Sequence, residues 1–331
     1  MRNKIFVLLH AFPIVASAGL AVTIPTRFET DRVYVELTTA SGVRLELYTD
    51  SGGGNLVISR GAAARLGLEV SRSGDPEVQA ELGPDSGIAT SPALAPGLPA
   101  LPKIAFVVPK AVQIPAWPEQ GDGFLGAPWF AGGIWTWDYP GRRLIRQPDE
   151  AMVEAGEHVV PIAFKVDPDG KRPTSFARLS IQVDGKQLPM LLDTGAETLL
   201  TPDALAEIGD GGLAMRAASM VAASIFDDWH HSHPDWRYIP NGQAETHASM
   251  IEIPSVEVAG FATGPVWFTR RSDANFHDFM TPMMDARVEG AVGGNVFRFF
   301  EMTVDYPAAR AKFRCVVDCR VATTIPADNT E

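Results

Sequence analysis

Cysteine is nearly absent from this sequence, and so is any long apolar run beyond its first twenty positions. The two cysteines, Cys315 and Cys319 in RCVVDCR, are too few for a disulfide-built scaffold and do not by themselves make a zinc site. They can pair with each other only across a turn, because a strictly extended chain would hold their Cα atoms too far apart. No internal segment has the roughly 18 apolar residues that a membrane helix needs. Tyrosine is scarce, and none of the five falls between Ser51 and Gly123. Basic residues are outnumbered: 28 Lys and Arg against 40 Asp and Glu leave a formal charge of -12 and no basic cluster. That balance argues against nucleic acid or an anionic membrane as a partner, and it suits work in acid, where carboxylates neutralise.

What is present begins with MRNK, then the apolar run IFVLLHAFPIVA and Ala16-Ser17-Ala18, a small-residue pattern of the kind that signal peptidase cuts after. Residues 1–18 therefore read as a secretory signal, with export to the periplasm or outside the cell expected. The competing reading is a membrane anchor; against it stand His10, Pro13 and the lack of a basic flank after the run. The remaining length suits one large domain or two of ordinary size.

The sequence repeats itself. ASGVRLELYTDSGGGNLVI aligns with VDGKQLPMLLDTGAETLLT, placing Gly42 on Gly185, Asp50 on Asp193, Ser51 on Thr194, Gly52 on Gly195 and Leu56 on Leu199 at an offset of 193 − 50 = 143. DGFLGAPWFAGGIWTWDYPGRRLIR aligns with EGAVGGNVFRFFEMTVDYPAARAKF at an offset of 293 − 126 = 167, placing Gly126 on Gly293 and Asp138-Tyr139-Pro140 on Asp305-Tyr306-Pro307. The difference, 167 − 143 = 24, is an insertion in the second copy, in an interval that holds IFDDWHHSHPDWRYIPNG. Two copies imply two homologous lobes about an approximate two-fold axis, 19–150 and 151–331, joined near the polar stretch 147–158.

The texture is that of strands. Hairpins are expected around Ser41-Gly42 and Asp184-Gly185, each running into an Asp. One short helix is expected after each glycine turn, in GAAARLGL and PDALAEIG, and one strand in KIAFVVP. Asp-Ser-Gly and Asp-Thr-Gly are ordinary turn chemistry when met singly. Two acids ending apolar strands at equivalent places in a duplicated pattern are not explained that way.

Each copy thus has an apolar strand, Asp-Ser/Thr-Gly, a second apolar strand, and later two apolar residues before Gly: Phe124-Leu125-Gly126 and Ala291-Val292-Gly293. This set resembles the aspartic proteases, both the two-lobed pepsin-like enzymes and the single-lobed retroviral type that dimerises. DSGGGNL and DGFLG look like the amino-terminal pepsin-like motifs, and LLDTGAETLLTP with AVGGNVFRFFEMTVDY is similar to the second lobe. The resemblance implies an all-β fold of two barrel-like lobes with the active site in the cleft between them. It implies endopeptide hydrolysis, favoured at acidic to mildly acidic pH, by a monomer acting on peptide or protein substrates. No metal, cofactor or covalent intermediate is called for. Asp50 and Asp193 are the expected catalytic pair: brought together they cannot both ionise easily, so one activates a water while its protonated partner serves the developing oxyanion and the leaving nitrogen. Gly52 and Gly195 let backbone amides approach the carboxylates, Ser51 and Thr194 brace the loops across the two-fold, and Gly126 and Gly293 let a neighbouring strand pack close.

The sequence departs from the family where a flap tyrosine would be expected. Trp117 is one candidate cover for the cleft; Trp229, Trp236 and Tyr238 of the insertion are another. Two rival readings follow. The same fold can serve as a non-catalytic peptide-binding protein. Alternatively His231, His233 and Asp235, which nearly spell the H-x-H-x-D-H zinc signature of metallo-β-lactamase-type hydrolases, can hold a metal for a metal-dependent hydrolase.

Overall fold

The computed structural model describes residues 19–74, 76, 79, 86–109 and 121–322. The expected signal segment and Trp117 lie outside the described residues. Three large sheets organise the chain. Eight strands of the first half form one sheet, in the order Thr26–Glu29, Arg32–Thr38, Arg44–Asp50, Gly123–Gly126, Leu56–Ile58, Phe106–Val108, Gly87–Ala89 and Ser71–Arg72. Ten strands of the second half form another, centred on Ser219–Ala222, Gly290–Val292 and Lys186–Leu192. Six strands drawn from both halves make the third. Among the described residues no helix is long and apolar enough to cross a membrane.

The shared sheet fixes how the halves meet. Its two inner strands, Ile134–Asp138 and Phe300–Asp305, run antiparallel with Thr136 opposite Thr303. Those two residues are related by the repeat, since 303 − 136 = 167, and their hydroxyls are 2.8 Å apart. An antiparallel pair in which equivalent residues face each other has its local two-fold at that point, so the axis between the copies passes between these threonines. Trp135, Trp137, Phe300, Met302 and Val304 are buried around it. The repeated Asp-Tyr-Pro closes each outer hairpin: Asp138 accepts from Gly141 N at 2.9 Å and Asp305 from Ala308 N at 2.8 Å. Between Gln147 and Val159 the chain passes from the first half of this sheet to the second, and we propose the lobe boundary there, at 150/151. The stretch is tied down at Val153, which is buried and whose N–H reaches Asp305 Oδ2 at 3.0 Å.

Both expected hairpins form, with Asp184 (φ 48°) and Gly185 (φ 74°) in the left-handed region at the second. Both expected helices form as well, Arg60–Arg65 and Pro202–Ile208, each capped by the preceding hydroxyl residue, Ser59 or Thr201. The strand Phe106–Val108 lies within KIAFVVP. Cys315 and Cys319 are joined, with Cα atoms 5.9 Å apart, across a turn in which Asp318 has φ 48°.

The correspondence of Leu56 with Leu199 fails in space. In the first copy, Leu56–Ile58 lies antiparallel to Gly123–Gly126 and parallel to Phe106–Val108, and leads into a helix. The second copy builds the same unit from Ser219–Ala222, which is antiparallel to Gly290–Val292, parallel to Val266–Arg271, and followed by the helix Ala223–Ser232. Val57 faces Phe124 as Met220 faces Ala291, an offset of 220 − 57 = 163. Of the 24 extra residues, 163 − 143 = 20 therefore lie just after the second Asp loop. There Glu197–Leu199 leaves to pair with Met215–Ala217, with Pro202–Ile208 between them. An apolar pair, a capping hydroxyl and a short helix occur at both places, so local sequence did not distinguish them.

Candidate active site

Asp50 is the last residue of Arg44–Asp50, paired in parallel with Gly126; Asp193 follows Lys186–Leu192 and donates its N–H to Val292 O at 3.0 Å. The glycines behind these loops are required by contact. A Cβ on Gly126 would stand 2.3 Å from Asn55 O, and one on Gly293 would stand 2.0 Å from Ala218 O. Each loop therefore sits directly on the strand that crosses it.

The two loops are bound to each other through their second residues. Ser51 N donates to Thr194 Oγ1 at 3.2 Å, Thr194 N donates to Ser51 Oγ at 2.9 Å, and Ser51 Oγ donates to Leu192 O at 2.9 Å. Ser51 and Thr194 are almost fully buried, so each of these bonds answers a donor that water cannot reach. Gly52 N donates to Asp50 Oδ1 at 2.9 Å and Gly195 N to Asp193 Oδ1 at 3.0 Å. The same glycines also admit the opposite acid: a Cβ on Gly52 would lie 2.4 Å from Asp193 Cγ, and one on Gly195 would lie 2.4 Å from Asp50 Cγ.

The carboxyl groups of Asp50 and Asp193 hydrogen-bond each other. Burial raises both above the usual carboxylate range. Asp193 is pushed well up, by burial first and then by the charge of Asp50. Asp50 rises less, because its bonds from Asp193, Gly52 and Gly53 favour the charged form. The pair thus holds one proton and one negative charge between its two carboxyl groups.

Tyrosines outside the Asp-Ser/Thr-Gly motifs complete the floor. Tyr48, two residues before Asp50, donates its hydroxyl to Gly195 O at 2.9 Å, a second tie between the loops. Tyr139 and Tyr306, the repeated pair, have buried hydroxyls, and that of Tyr306 faces Ser51. Their equivalence in the repeat is the sequence signal that marks them. We expect Tyr48→Phe to cost about 1–2 kcal/mol in urea unfolding, because Gly195 O loses its partner in a buried site. An unchanged midpoint and slope would show the bond to be idle.

Glu197 is a further acid that no motif marks. It opens the extra excursion and accepts from the buried Arg32 of the first lobe at 3.3 Å. Burial is the main cause that pushes its carboxyl from 4.5 up to about 7; Arg32 opposes this, while Asp50 and Glu245 add to it. A carboxyl raised in the folded state adds stability fully below its unfolded value near 4.5 and loses it as pH rises through about 7. The contribution is on the order of 3 kcal/mol, and the dyad works in the same direction. The protein should therefore melt higher at pH 5 than at pH 7.5, and Glu197→Gln, which mimics the protonated form, should flatten that difference. An equal pH dependence in the variant would remove Glu197 from this role.

The architecture, two mirrored Asp loops tied at a two-fold and joined by a shared sheet, is all-β with two lobes. It is the acid-protease fold. Among solved structures, the chain is similar to the aspartic proteinase from Irpex lacteus, at 10% identity and TM-score 0.48 over 90% of this chain and 98% of that one. It is also similar to the basic 7S globulin from soybean, at 10% identity and TM-score 0.44 over 89% and 94% of the two chains. Conglutin gamma, a basic 7S globulin from lupine seeds, stands at 10% identity and TM-score 0.44 over 89% and 95%. No protein-family model and no curated protein matches the sequence.

Two expectations are corrected by the structure. Trp229, Trp236 and Tyr238 do not cover the dyad. Trp229 is buried with Phe226 on the inner side of the helix Ala223–Ser232, edge-on to Phe268, and Trp236 stacks on His233. His233 Nε2 meets Asp184 Oδ2 at 3.0 Å and Lys186 Nζ meets Asp228 at 2.8 Å, which fixes this helix at the Asp184-Gly185 hairpin. That hairpin is the far end of the strand leading to Asp193, about 25 Å away. His231, His233 and Asp235 likewise form no metal site: among the described residues no three His, Cys, Asp or Glu side chains are grouped to hold an ion. One histidine is committed to Asp184, and His231 and Asp235 are exposed.

Proposed function

We propose that the protein is an aspartic endopeptidase in which Asp50 and Asp193 act on one water. The observation that carries this reading is the pair itself: two carboxyl groups hydrogen-bonded to each other across a lobe boundary, each admitted by the other loop's glycine. Asp50 takes a proton from the water as its oxygen bonds to the peptide carbonyl carbon. Asp193 donates to the carbonyl oxygen as negative charge builds there. On collapse the carbon–nitrogen bond breaks, and the nitrogen leaves with a proton returned from the dyad. Ser51, Thr194, Gly52 and Gly195 hold the carboxyls in place, and Gly126 and Gly293 hold the loops. The substrate is a peptide or an unfolded protein, acted on after export by a monomer.

The test is purified protein against an unfolded protein across pH, beside Asp50→Asn and Asp193→Asn. Full activity in either variant would refute the mechanism. One observation favours a second reading, a non-catalytic peptide-binding protein: no tyrosine stands between Ser51 and Gly123. Peptide binding without hydrolysis at any pH would decide for it.

A further inference from the structure

Arg271 ends the strand Val266–Arg271 as a half-buried cation that forms no ion pair among the described residues. Its Nε donates to Met220 Sδ at 3.3 Å, and its Nη1 donates to Gln243 Oε1 and to Thr246 Oγ1, the latter at 3.3 Å. Nη2 has no partner among the described residues. Burial lowers its affinity for a proton, and the exposed Glu245 acts in the other direction without forming an ion pair. A guanidinium taken out of water is costly unless a planar anion answers it, and its fork geometry suits a carboxylate.

The sheet register puts this cation on the same face as the dyad. Leu191 pairs with Ala291, Ala291 with Met220, and Met220 with Thr269, forming one row across four strands. Partners in a ladder share a face, and so do residues two apart on a strand, so Asp193 and Arg271 project from that same face at opposite corners. Three strand spacings across and four residues along separate their Cα atoms by about 20 Å. An extended peptide rises about 3.3 Å per residue, so about six residues span that distance. A substrate residue up to about six positions from the cleaved bond falls within reach of the guanidinium. Between the two corners the face is apolar: Leu191, Ala291 and Ala222 are buried there beside Phe176 and Phe276, and Met220 is partly exposed.

We propose that Arg271 is a specificity residue that binds a carboxylate of the peptide, an acidic side chain or a chain terminus, a few residues from the scissile bond. This rests on the peptide-cleft reading above. The charged groups around Arg271 leave the place open. Arg270 is turned to Asp227, at 2.8 Å, Asp273 accepts from Ser224 N, and among the described residues only Glu245 competes.

The test uses peptide pairs that differ only by Glu or Gln at each position in turn. Binding is read by fluorescence anisotropy on the Asp50→Asn protein, and kcat/KM on the wild type. At one position Glu should bind about tenfold better than Gln near pH 6. The preference should vanish in Arg271→Gln, survive in part in Arg271→Lys, and widen in Glu245→Gln, which alters only an exposed side chain. It should also fade below about pH 4 as the peptide carboxyl takes a proton. No preference at any position, or a preference that persists in Arg271→Gln, overturns the proposal. If the wild type cuts nothing while the Arg271-dependent preference remains, the endopeptidase reading fails and the carboxylate site stands. If the wild type cuts peptides with no acidic preference, the endopeptidase reading stands and the carboxylate site fails.

Discussion

In the Asp50→Asn protein, hydrolysis of an unfolded protein substrate at mildly acidic pH is expected to fall by about three orders of magnitude or more. Asparagine keeps the shape of the carboxyl and can still accept from Gly52 N, but it cannot take a proton from water. Asp193→Asn should be as damaging for the complementary reason, since an amide cannot pass a proton to the leaving nitrogen. Because burial raises both acids and the charge of Asp50 raises Asp193 further, neither variant should be less stable near neutral pH, and a slight gain is expected. Activity lost together with stability would point to a damaged fold. Activity lost alone identifies the chemistry. A rate assay beside thermal melting of the same preparations separates the two.

Gly195→Ala should produce the second-largest effect, on both fold and rate. The added carbon would stand 2.4 Å from Asp50 Cγ and 2.5 Å from Asp50 Cβ. Asp50 has little room to withdraw: Gly52 N holds its carboxyl at 2.9 Å, and its strand is paired with Gly123–Gly126. The loops must separate by about an ångström, which loosens the Tyr48 bond to Gly195 O and the dyad's own contact. Overpacking of this kind costs about 1–3 kcal/mol. A misplacement of that size costs about a hundredfold in rate. Gly132→Ala, at a glycine with nothing within 4 Å, is the control and should change neither. Equal kinetics in Gly195→Ala and wild type would mean that the close approach of the loops is not needed.

The repeat was legible in the sequence because each copy keeps residues whose reason lies at the two-fold. Ser51 and Thr194, 143 apart, exchange hydrogen bonds; Thr136 and Thr303, 167 apart, face each other. Asp, Ser/Thr and Gly at fixed spacing therefore carried the fold and the candidate dyad together. Legibility ended where meaning depended on which strand becomes a neighbour. Leu199-Leu200-Thr201 has the same local chemistry as Val57-Ile58-Ser59, yet one leads away from the sheet and the other belongs to it. Tyr48 was hidden for a related reason, as an apolar-looking position in an alternating strand whose hydroxyl partner is 147 residues away. Glu197 and Arg271 carry no motif at all. Their interest comes from burial beside groups that only the folded chain assembles.

The excursion after the second Asp loop has a consequence for how the two halves depend on each other. Ala217 N donates to Thr30 O at 2.9 Å, Thr30 Oγ1 donates to Met215 O at 2.8 Å, and Arg32 reaches Glu197. All three contacts join a segment that only the second copy has to a turn that only the first copy offers. A dimer of first halves would present that turn twice with no ribbon to receive it. A dimer of second halves would carry two ribbons and no turn. The two copies have become non-interchangeable halves of one lock, so neither can stand in for the other.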